Sequence, residues 1–123
     1  MENADNAPGY PPRKKSREDA HRFIERVAKH NGWVVNPDRQ FVDDLAEGLA
    51  VNYNRHGYFL CPCRDGDGVR RLDRDIICPC DYLAPDQKEF GHCFCGLFLT
   101  PEFAAEGQAP SQIPERRPEE PGA

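Results

Sequence analysis

In SREDAHRFIERVAKHNG, residues 16–32, the apolar side chains Ala20, Phe23, Ile24, Val27 and Ala28 recur at the i, i+3, i+4, i+7, i+8 spacing of one helix face. Ser16 stands where an N-cap is needed, Glu18 and Asp19 occupy the first turn, and Gly32 follows the last. The pattern repeats in NPDRQFVDDLAEGLAVNYNRHG, residues 36–57. There Asn36 reads as the N-cap, Pro37 as the first helical residue and Gly57 as the stop, with an apolar face of Phe41, Val42, Leu45, Ala46, Leu49 and Ala50. Beyond Gly57 the periodicity breaks up. A short helix is expected through Val69, Leu72 and Ile76, and another turn over Asp86 to Phe90, while no segment alternates well enough to predict a strand. The expected architecture is therefore all-α: two helices followed by a loop-rich second half.

Composition narrows this picture. The chain has 123 residues, 38% of them hydrophobic and 30% charged, which suits one small domain. Eight of the twelve prolines lie in the first 12 residues or from Pro101 onward, so residues 1–15 and 102–123 are expected to be disordered tails flanking a domain at 16–101. At that size apolar burial is marginal, and a metal or disulfide staple is expected. The net charge is −5, and residues 16–101 carry 11 basic against 14 acidic side chains, which points away from nucleic acid. The short basic run Arg13, Lys14, Lys15 and Arg17 reads as solvated. No stretch has the apolar length of a membrane span and the N-terminus lacks a secretory hydrophobic region, so a cytoplasmic location is expected. There, cysteines serve as metal ligands or redox catalysts more often than as structural disulfides.

The cysteines carry the chemistry. Cys61-Pro62-Cys63, Cys78-Pro79-Cys80 and Cys93-Phe94-Cys95 are three Cys-x-Cys pairs. Six thiols exceed by two the four that a tetrahedral zinc or a cubane cluster takes, which suggests a cluster beside a redox dithiol. A spacing of one residue is a poor zinc knuckle, because both sulfurs then reach a single small ion awkwardly, whereas a larger cluster offers several metal corners. An iron-sulfur carrier with two spectator cysteines, or a zinc-stapled interaction module, remains open on the residues alone. His21, His30 and His56 read as helix-surface residues, and Trp33 and Tyr58 as core rim.

LCPCR, then CPC, then a Cys-x-Cys running into Leu97-Phe98-Leu99-Thr100-Pro101 resembles the catalytic (beta) subunit family of ferredoxin-thioredoxin reductase over residues 58–103, with GHCFCGLF similar to its microbial branch. The resemblance implies an all-α domain wrapped around a [4Fe-4S] cluster ligated by Cys61, Cys78, Cys80 and Cys93. It implies a redox-active Cys63–Cys95 disulfide, with Cys63 the exposed interchange thiol and Cys95 facing the cluster. It further implies ferredoxin as electron donor and thioredoxin or a thioredoxin-like protein as acceptor, and leaves room for a variable partner subunit. Ferredoxin delivers one electron at a time and a disulfide takes two, so an intermediate state has to be held beside the cluster. Plant-type members carry histidine where this chain has Phe94; His92, one residue before Cys93, is the available substitute as a catalytic residue. Intervals of 14 and 12 residues between successive pairs also depart from the plant pattern. Arg64, Arg70, Arg71 and Arg74 are candidate docking residues for an acidic donor.

Overall fold

The protein is described here by a computed structural model covering residues 14–119. Helix α1 spans Arg17–Asn31 and α2 spans Arg39–His56. Ser16 and Asp19 form a reciprocal capping box at the start of α1 (3.1 and 2.9 Å), and Gly32 ends it in the left-handed conformation. Ala20, Ile24 and Ala28 of α1 pack with Val42, Leu45, Ala46, Leu49 and Ala50 of α2 in one core. Ala20 and Ala46 are wholly buried, and side chains this small let the two helices approach closely.

The second helix starts later than its sequence suggests. Its N-cap is Asp38, whose carboxylate accepts from Phe41 N at 3.1 Å, and Pro37 lies outside the helix. Asn36 is drawn elsewhere: its side-chain amide donates to Gly96 O at 2.8 Å and its Oδ1 accepts from Asp38 N at 2.9 Å. One cap-type residue serves the helix, and the other ties the loop before it to the third cysteine pair.

The second half contains α3 (Arg70–Asp73) running into a 3-10 turn (Arg74–Ile76), then α4 (Leu83–Phe90) and α5 (Pro101–Glu106). The all-α expectation needs one correction. Strand β1 (Val34–Val35) pairs antiparallel with β2 (Phe98–Leu99), Val34 opposite Leu99 and Val35 opposite Phe98. Two-residue strands are too short to register as alternation, so the motif Leu97 to Pro101 supplies both a strand and the Thr100 cap of α5. The small sheet seats Phe98, wholly buried, in the main core and brings it against Trp33, with ring centroids 5.4 Å apart.

Residues 102–119, expected above as a disordered tail, have defined structure. After α5 the chain runs extended across the second half, with Ile113 only 6% exposed. Arg64 pairs with Glu115, Arg116 with Asp86 and Arg117 with Asp75. Composition misleads here because these charges have specific partners, and the prolines at 110, 114 and 118 suit an extended strap. The tail expected at residues 1–15 falls almost wholly on residues 1–13, which lie outside the described residues, as do residues 120–123. No helix among the described residues is long and apolar enough to cross a membrane.

Candidate metal and disulfide centre

Backbone pairing places each cysteine pair. Residues 59–61 run against 76–78: Cys61 N donates to Ile76 O (2.9 Å), Cys78 N donates to Phe59 O (2.8 Å), and Leu60 and Ile77 form an antiparallel bridge. The first two pairs thereby lie side by side. The third is set by a tight turn in which Gly96 N donates to Cys93 O (2.8 Å) and Cys93 N to Phe98 O (3.1 Å). Gly96 has φ +75, a left-handed conformation that side chains disfavour, and its carbonyl is the one gripped by Asn36.

The loop that follows the first pair is closed from inside. Asp73, wholly buried, accepts from Tyr58 OH (2.6 Å), Asp67 N (2.8 Å) and Gly68 N (3.0 Å). A Cβ at Gly66 would come within 2.7 Å of Asp73 Oδ2 and 2.8 Å of Leu60 Cδ2, so the loop needs glycine there. These contacts hold the segment carrying Cys61, Cys63 and Arg64.

Cys61, Cys78, Cys80, Cys93 and Cys95 line one narrow cleft, walled also by Leu83, Phe94, Leu97 and Phe98. Cys63 stands apart as the exposed member. Cys61 Sγ lies 3.2 Å from Cys95 Sγ. Hydrogen bonds from Cys61 and Cys95 favour the thiolate of Cys63 and pull its pKa down to about 4. The same bonds, with burial, act in reverse on their partners: Cys61 is pushed up to about 11 and Cys95 well above an ordinary thiol. Burial dominates at Cys78, Cys80 and Cys93, raising all three. The exposed thiol is thus the activated one, and the buried ones are poor nucleophiles.

Arg64 was a docking candidate in the sequence, and the structure places it in the site instead. It is 9% exposed. Its Nε and Nη2 donate to the two oxygens of Glu115 (2.6 and 2.7 Å), while Nη1 donates to Cys80 Sγ at 3.2 Å and faces Cys61 Sγ at 3.8 Å. The guanidinium carbon lies 4.5 Å from the ring centroid of Phe94 and 5.3 Å from that of Tyr82. Burial opposes its charge, but Glu115 and the sulfurs outweigh that and hold its pKa above the ordinary value. The remaining arginines, Arg70, Arg71 and Arg74, are exposed. Two of the acids that balanced them in sequence are taken up internally, Asp73 by Tyr58 and Asp75 by Arg117 and Tyr82.

His92 also departs from its expected role. It is 1% exposed; Nδ1 is 2.8 Å from Cys93 O, Nε2 accepts from Ser111 N at 3.3 Å, and the ring meets Phe103 edge-on. Both nitrogens serve the backbone, so His92 braces the C-terminal segment rather than a thiol. His21 meets Asp43 at 2.7 Å on the helix surface, and Trp33 and Tyr58 contribute to the core as expected.

The donor set suits a multi-iron cluster. Burial, and then repulsion from neighbouring sulfurs, raises Cys78, Cys80 and Cys93, and a cationic metal among them would favour their thiolates instead. Among the described residues no group of three or more His, Cys, Asp or Glu side chains is arranged to hold a single metal ion.

A family profile described as "Ferredoxin thioredoxin reductase catalytic beta chain" matches residues 10–118. The ferredoxin-thioredoxin reductase catalytic chain of Arabidopsis thaliana chloroplasts is 33% identical over 101 residues, 79% of this chain and 66% of its own. The Spinacia oleracea chloroplast chain is 34% identical with the same coverage, so this chain spans about two thirds of the length of these plant relatives. The catalytic chain of Cyanidium caldarium is 34% identical over 98 residues, 76% of this chain and 85% of its own.

Proposed function

The chain belongs to the ferredoxin-thioredoxin reductase catalytic beta chain family, and on that premise we propose that it is an oxidoreductase that reduces a disulfide on thioredoxin or a thioredoxin-like protein with electrons from ferredoxin. One observation carries this reading: five of the six cysteines line one cleft while the sixth, Cys63, is exposed.

Cys61, Cys78, Cys80 and Cys93 would hold a [4Fe-4S] cluster, which when bound supplies one-electron transfer beside a bond that takes two. The protein's own residues perform the exchange. Cys63 thiolate attacks one sulfur of the target disulfide; a Cys63–target disulfide forms, and the other target sulfur leaves as a thiolate that takes a proton from solvent. Cys95 gives up its proton and attacks Cys63 Sγ, forming Cys63–Cys95 and releasing the second target thiolate. Two electrons, supplied singly by ferredoxin, and two protons return that disulfide to two thiols. Cys95 is half-buried, its Sγ 3.2 Å from Cys61 Sγ, and lies two residues from Cys93 on the third pair, which favours resolution over competing thiols from solution. A variable partner subunit is compatible with this reading but has no assigned surface.

The test is Cys63→Ser on protein purified without oxygen. Iron and acid-labile sulfide should stay at the wild-type level while disulfide reduction falls by at least a hundredfold, as loss of an essential nucleophile requires. Undiminished reduction would make Cys63 a spectator and the protein an iron-sulfur carrier.

A further inference from the structure

We propose that Arg64 is a positioning residue that sets the electrostatics of the cluster ligands Cys61 and Cys80, and that the C-terminal strap, through Glu115, holds it in place. This rests on the reading above that these cysteines ligate the cluster.

The geometry is specific. A guanidinium and a carboxylate meeting by two parallel bonds share a plane, and that plane determines where the third nitrogen points. With Nε and Nη2 on Glu115, Nη1 is aimed at Cys80 Sγ and toward Cys61 Sγ. Phe94 and Tyr82 present ring faces to the guanidinium, which favour its cation and keep water from it. Phe94 occupies the position where plant-type members carry histidine, and here its ring supports the arginine.

Glu115 is itself fixed. Ile113 is buried two residues before it. Two residues after it, Arg117 donates to Asp75 and to Leu72 O, and its backbone N–H donates to Glu115 Oε1 at 2.9 Å. Between them Arg116 pairs with Asp86 and Glu89. A residue 20 positions beyond the last cysteine thus governs a cation on the sulfurs of the first two pairs.

An adjacent positive charge and N–H···S bonds stabilise the more electron-rich state of a thiolate-bound cluster, raising its reduction potential. Arg64→Met should therefore lower the midpoint potential of the iron-loaded protein, by about tenfold in the one-electron equilibrium constant, about 59 mV. Glu115→Ala discriminates between two roles. If Glu115 acted only as a charge, deleting it would raise the potential. If it holds Arg64, an unpartnered buried cation turns away to solvent and the potential falls.

The experiment is protein-film voltammetry of wild type, R64M, E115A and the double variant, each with iron counted. We expect a lower potential in R64M and in E115A, and no further fall when E115A is added to R64M. An unchanged potential in iron-replete R64M, or a raised or unchanged one in E115A, would overturn the proposal. Should R64M lose its iron, R64K and E115Q take its place: unchanged potentials in both overturn the proposal, and a fall in both supports it. Wild-type protein with no iron-sulfur cluster would instead refute the function proposed above, which separates the two failures.

Discussion

Tyr58→Phe removes one oxygen from the lock that closes the loop bearing Cys61, Cys63 and Arg64. The hydroxyl donates to Asp73 Oδ2 at 2.6 Å, both residues are buried, and the remaining bonds to Asp73 come from Asp67 N and Gly68 N. A hydrogen bond to a charged group contributes roughly 1.5–3 kcal/mol, and phenylalanine keeps the ring in place, so a loss of about 2 kcal/mol is expected at neutral pH. The pH dependence gives a second check. Burial, then the Asp73 carboxylate, push the phenol up to about 12 from its ordinary 10. Because the folded value is the higher one, this stabilisation is complete below pH 10 and is lost as pH rises through about 12. Anaerobic denaturant unfolding of the iron-loaded protein, followed by Trp33 fluorescence, should show a wild-type advantage that is flat to pH 10 and gone above pH 12. Tyr82, also raised to about 12, is present in both proteins and cancels. A difference below about 0.5 kcal/mol at neutral pH, or one that persists unchanged above pH 12, would refute the reasoning.

Ile113→Ala should cost about 2–4 kcal/mol of strap docking, read as faster proteolysis within residues 107–119 while hydrogen exchange in α1 and α2 stays slow. Equal sensitivity of the whole chain would mean that the strap is part of one cooperative unit. Removal of iron by a chelator should leave most of the helical circular dichroism, which comes from α1 and α2, but should speed exchange at Cys61 N, Cys78 N and Cys93 N at least tenfold. Complete loss of the helical signal would show that the helices depend on the metal.

The sequence revealed what is periodic or clustered. Helices α1 and α2 were legible because five and six apolar positions, respectively, repeat one face, and the six cysteines because their spacing is unusual. What it concealed depends on partners far along the chain. Asn36 and Asp38 flank Pro37 and either can cap a helix; the choice is made by Gly96, 60 residues away. Arg64 looked like one arginine among four until Glu115, in a segment whose composition reads as disorder, drew it inward. His92 sits beside Cys93 in sequence, yet Ser111 N and Cys93 O occupy its ring. The arginine directly after Cys63 was the one local signal for an inward cation; nothing local marks Glu115.

The β1–β2 pairing imposes an order on biosynthesis. Chains emerge at roughly 5–20 residues per second, and N-terminal units fold first. The α1–α2 hairpin depends on neighbours in sequence and can form once residue 57 is free. The third cysteine pair is anchored only when Leu99 has reached Val34. For roughly 1–4 seconds after Cys80 is made, the first two pairs therefore exist without their counterparts, open to oxidants and stray metal ions. The α1–α2 scaffold can therefore stand complete before the third cysteine pair is locked against it.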